Sequence, residues 1–133
     1  MRKDSDFAAP HFRFSEFASQ KGGPVPAKYR SNVIKAARSH EKVREICGCP
    51  LRITDGWRTE EENEETPGAA KNSTHLIALG SDVEPISNYW TPPMLGGVYE
   101  TLIRQGKIPD GELGIYEDHI HYAPTGVHKR WRG

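Results

Sequence analysis

The sequence has no surplus of charge: 18 Lys and Arg stand against 18 Asp and Glu, and the pI is near 7.0. Binders of nucleic acid or of membrane surfaces rely on clustered positive charge, so this balance argues against both classes. An acidic stretch at residues 60–65 and a basic one at 128–132 are too short to change that reading. Long apolar runs are missing as well. Nothing approaches the ~20 residues of a membrane span, and no apolar run follows the opening Met1-Arg2-Lys3-Asp4-Ser5-Asp6, as a secretory signal would require. The expectation is a protein made in the cytoplasm, with no membrane partner. Cysteine is scarce: Cys47 and Cys49 flank a single glycine. That spacing suits neither an intrachain disulfide nor a dithiol metal claw, so both are expected to be reduced and structural.

What remains is enough for one folded domain, residues 1–133. Hydrophobic residues make up 35% of the chain and mean hydropathy is −0.71, polar for a globular protein but above the disordered range. Phe12, Phe14 and Phe17 are expected to anchor the N-terminal segment to the core. Residues 27–46 carry Val33, Ile34, Ala37, Val43 and Ile46 at the helical period, with Gly48 and Pro50 as terminators. Residues 51–54 alternate as a strand that enters a turn at Asp55-Gly56. A polar loop follows over 59–74, then an apolar strand over 76–83. Thr91 as N-cap and Pro92 at the first helical position open a second helix, which runs to about Gln105 and stops at Gly106. A last strand, interrupted by Gly114, spans 113–122. The fold class is α+β: a small, mainly antiparallel sheet packed with two main helices.

Chemistry concentrates in the histidines, of which there are six. His75 opens the apolar segment and Asp82 closes it, with Gly80 between as a place to bend. Asp118-His119-Ile120-His121 lies on the last strand. Two imidazoles and a carboxylate leave the fourth tetrahedral position open, as in catalytic zinc sites. On the residues alone, a metal site and a set of unrelated solvated histidines stand equal. Spacing does not choose His121 over His119, since strand period two puts both on one face.

Three segments resemble the D-alanyl-D-alanine carboxypeptidase family of zinc peptidases, which includes VanX- and VanY-like enzymes and phage endolysins and shares its core with the Hedgehog domain. Ile53-Thr54-Asp55-Gly56-Trp57-Arg58 is similar to the family's Ser-Gly-Tyr-Arg strand and turn. Asn72-Ser73-Thr74-His75 through Gly80-Ser81-Asp82 resembles its His-to-Asp metal motif, with the glycine two positions late but the seven-residue interval kept. Gly114-Ile115-Tyr116-Glu117-Asp118-His119-Ile120-His121 resembles its closing segment, and Arg130-Trp131 a frequent ending.

The resemblance implies one Zn2+ per chain, held by His75, Asp82 and His121. It implies Asp118 as the general base for a metal-activated water, which would need a bend between Asp118 and His121. Arg58 would bind the substrate carboxylate or polarise the scissile carbonyl, and Ser73 and His119 would face substrate. The expected activity is hydrolysis of peptidoglycan stem peptides by a monomer, acting at the bacterial wall after release or carried in a virion. The competing expectation is a noncatalytic zinc-containing structural or virion-associated domain of the same fold.

Overall fold

A computed structural model describes residues 6–133. The N-terminal segment forms a two-stranded ribbon, β1 (Phe7–Ala9) and β2 (Phe12–Arg13), followed by a 3-10 turn at Phe14–Phe17. Phe12, Phe14 and Phe17 are all buried, so this segment anchors to the core as its aromatic content suggests. Helix α1 (Arg30–Cys47) buries Val33, Ala36, Ala37, His40 and Val43 along one stripe at the helical period. It stops at Gly48, whose φ of 65° is left-handed and whose N–H donates to Arg44 O. The second main helix, α3 (Pro92–Arg104), opens as its sequence dictates: the Thr91 hydroxyl accepts the Met94 N–H, and proline occupies the first turn. It buries Leu95, Val98, Tyr99 and Leu102.

The main sheet has five strands in the order β3 (Leu51–Asp55), β4 (Ser81–Pro85), β6 (Ile120–Ala123), β5 (Glu112–Ile115), β7 (Lys129–Arg132). All neighbours are antiparallel except β5 and β7. The two main helices cover one face. Val83, Ile120, Tyr122 and Leu113 point towards them and meet Leu95 and Tyr99, and the Ile115 side chain fills the space left by Gly96 of α3. Alternation then sends Asp82, His121, Glu112, Gly114 and Trp131 to the opposite face, where the site lies.

Three details differ from the sequence expectation, and a fourth lies where no element was expected. The polar stretch after Arg58 is not all loop: a short helix, α2 (Glu60–Glu65), is opened by a capping box in which Thr59 and Glu62 satisfy each other's backbone N–H groups. His75 sits on a 3-10 turn, Thr74–Ile77, rather than at the head of a strand, and strand character begins only at Ser81. The apolar run 113–122 is two strands of a hairpin, because residues 116–119 turn the chain back. Finally, the charged C-terminal segment is itself a strand, β7, paired in parallel with β5.

Candidate metal centre

Strand register assembles most of the site. Asp82 on β4 lies directly opposite His121 on β6, His121 lies opposite Gly114 on β5, and Gly114 lies opposite Trp131 on β7. These four form one row across the open face. The absent side chain at Gly114 is what admits the Trp131 indole, whose ring sits where a Cβ would go. The indole packs 5.3 Å from the His121 ring, and its N–H donates to the Tyr116 hydroxyl at 2.7 Å.

His75 reaches the row from outside the sheet. Its turn is capped by Ser73, whose hydroxyl accepts the His75 N–H at 3.2 Å. Left-handed Ala78 (φ 59°) and Gly80 then return the chain to β4. Gly80 is required by close approach: an added Cβ would meet the Thr74 hydroxyl and would lie 2.8 Å from His121 Cε1.

Ligand-capable atoms of His75, Asp82 and His121 lie within 4.8 Å of one another. Asp82 Oδ1 is 3.2 Å from His75 Nε2 and 3.2 Å from His121 Nδ1. Ligand atoms bound tetrahedrally to zinc at ~2.1 Å stand roughly 3.4 Å apart, so the donor set fits that metal in both chemistry and spacing. The far nitrogens are held as well. The Gly56 carbonyl can only accept, so His75 Nδ1 donates to it, at 2.7 Å. His121 Nε2 is 2.8 Å from Glu112 Oε1.

The electrostatics follow from these contacts. Burial opposes the Asp82 charge, but the contacts with the His121 and His75 rings outweigh it and hold the carboxyl well below the usual range. Burial likewise opposes protonation of His121, yet Asp82 and Glu112 together raise its pKa. Glu112 is lowered, first by its hydrogen bond with His121.

The trio opens on a cleft of about 640 Å3 whose walls include Arg58, Ser73, Tyr116, His119 and Trp131. His119 stacks on Tyr116 with ring centroids 4.3 Å apart and puts Nε2 3.7 Å from Asp82 Oδ2. Asp118 takes a different place from its neighbours: its side chain is 86% exposed, and its Oδ1 is 2.7 Å from His119 Nδ1. Asp118 and His119 fall in the turn between β5 and β6, which supplies the bend expected there. Arg58 is buried, donating from Nε to Asp55 at 2.8 Å and from Nη1 to Asn63 at 3.1 Å, with Nη2 3.8 Å from Asp82 Oδ2. The other three histidines are engaged elsewhere: His11 with Glu41, His128 with Asp110, and His40 in the core.

Sequence reasoning passed over Glu112 and Thr74. A signal for Glu112 existed, since it stands two residues before Gly114 and therefore on the same face. Using it required the pairing of β5 with β6.

An open His–Asp–His set at a cleft on an α+β scaffold is the constellation of a metal-dependent hydrolase. A model of the peptidase M15 family matches residues 10–123, and the chain belongs to that family. M15 peptidases are zinc-dependent, so zinc is the metal implied for this trio and a peptide is the implied class of substrate. No curated protein and no solved structure matches the chain significantly.

Proposed function

We propose that this chain is a zinc metallopeptidase that hydrolyses the stem peptides of bacterial peptidoglycan, as a carboxypeptidase or endopeptidase of the endolysin kind. The observation that carries the reading is a three-residue donor set at a cleft large enough for a short peptide. When bound, zinc supplies Lewis acidity and brings a water within reach of deprotonation at neutral pH.

The chain's own residues do the rest. His75, Asp82 and His121 hold the ion, one per chain. Asp118, expected as the base itself, acts here through its neighbour: its carboxylate fixes His119 Nδ1, so that His119 receives a proton from the cleft at Nε2 while Asp118 balances the charge. Arg58, tied to Asp55 and Asn63, holds Asp82 in place and adds positive charge where the scissile carbonyl becomes anionic. Ser73 and His119 face the substrate from the cleft wall. The protein acts as a monomer at the wall, after release or from a virion.

Incubating the zinc-loaded protein with purified muropeptides and reading the products by mass spectrometry tests the proposal. Cleavage by the wild type, with Asp118→Asn slower by about 100-fold or more, is the expected result. Intact muropeptides throughout would leave the noncatalytic zinc domain as the reading. That alternative draws on one observation, the outward turn of the Asp118 carboxylate.

A further inference from the structure

An imidazole can bind a metal only through a nitrogen that carries no hydrogen, so a histidine ligand needs its tautomer fixed. His75 obtains this from the backbone, through the Gly56 carbonyl. Among the described residues, His121 has no such carbonyl partner. Its far nitrogen, Nε2, meets the carboxylate of Glu112 at 2.8 Å, and the same oxygen, Oε1, accepts the Thr74 hydroxyl at 2.9 Å. The Glu112 side chain is only 18% exposed. An ionised carboxylate accepts and does not donate, so the hydrogen of His121 resides on Nε2. The lone pair is then on Nδ1, the atom that faces Asp82 Oδ1. Glu112 approaches the opposite edge of the ring and does not belong to the donor set.

We propose that Glu112 is the positioning residue of this metal centre, fixing the tautomer and ring orientation of His121 and, through the Thr74 hydroxyl, tying the turn that carries His75 to the strand that carries His121. The tie has a steric partner: Thr74 Oγ1 and the His121 ring both press into the space that Gly80 leaves empty. A shift of the Thr74–Ile77 turn would therefore disturb both imidazoles together. The inference rests on His75, Asp82 and His121 being the zinc ligands, and it assigns Glu112 no contact with substrate.

The test measures zinc affinity of the full chain by competition with a chromophoric chelator, for wild type, Glu112→Leu and Glu112→Gln. Long-range 15N–1H spectra of the zinc-loaded wild type read the His121 tautomer directly. The expected results are an Nε2–H, Nδ1-bound His121, a loss of about 10- to 100-fold in affinity for the leucine variant, and recovery of most of it by glutamine, whose carbonyl still accepts from Nε2. An Nδ1–H tautomer in the wild type overturns the proposal without any variant. So does a leucine variant that binds within about twofold of wild type, or a glutamine variant as weak as leucine. A wild type that binds zinc while Glu112→Leu changes nothing removes only Glu112; a wild type that takes up no zinc removes the ligand reading itself.

Discussion

Lowering the pH from 7 to 5 is expected to destabilise the fold through a histidine that lies outside the metal centre. His40 is fully buried on the inner face of α1, ringed by Phe12, Phe17, Tyr99 and Tyr122, with Nδ1 2.6 Å from the Tyr99 hydroxyl and Nε2 3.1 Å from the Ser81 hydroxyl. Burial, with a smaller contribution from His121, lowers its pKa from 6.5 to about 3. The unfolded chain therefore binds a proton between these two values that the folded chain refuses, and stability rises with pH across that window. Falling pH removes it at about 1.4 kcal/mol per unit once below 6.5, which amounts to about 2 kcal/mol between pH 7 and pH 5. Other groups titrate nearby, His121 in the opposite sense because its folded pKa is raised, so the measurement must be a difference. Urea unfolding of wild type and His40→Gln, each with chelator present, isolates the contribution, since glutamine can still bond to Tyr99 and Ser81 but does not titrate. Glutamine will lower stability at pH 7 by packing loss, and the gap to wild type should then narrow by about 2 kcal/mol at pH 5. Two stability curves that remain parallel from pH 7 to 5 would refute the burial argument.

Two substitutions probe the supports of the site. Gly80→Ala places a methyl group against the Thr74 hydroxyl and the His121 ring, and should destabilise the chain by about 1–3 kcal/mol while weakening zinc binding; thermal unfolding together with chelator competition would detect both, and unchanged values would contradict the close approach. Arg58→Leu leaves Asp55 and Asp82 without their buried cation and should remove about 3 kcal/mol of stability in the metal-free protein; urea unfolding that differs from wild type by less than about 1 kcal/mol would show that the guanidinium is not holding those carboxylates.

The helices were the most legible part of the sequence because their signals are local. Val33, Ala37 and Val43 mark α1 by period alone, and Thr91-Pro92 marks the start of α3 by capping chemistry. The strands were harder where tertiary pairing overrides pattern. Residues 113–122 read as one apolar strand because both arms of the hairpin are buried, and nothing in the period betrays the reversal at 116–119. Lys129-Arg130-Trp131-Arg132 looks like a solvated tail until β5 supplies a parallel partner and Gly114 makes room for the indole. Arg58 was legible as a candidate, but not how it is committed, because Asn63 lies on a helix that the sequence hid inside a polar loop.

The site's dependence on register explains why histidine spacing could not decide between His119 and His121. A strand period of two puts both on one face only if the strand is continuous, and here it begins at Ile120, one residue after His119. His121 is placed by pairing, opposite Asp82 on one side and Gly114 on the other. His119 is placed by the turn, stacked on Tyr116 and joined to Asp118. A slip of β6 by one residue would send His121 towards α3 and Tyr122 into the site, breaking the core and the metal centre in the same step. Folding and metal-site assembly therefore select the same register: the Ile120 and Tyr122 side chains that lock β6 against Leu95 and Tyr99 are what aim His121 at Asp82.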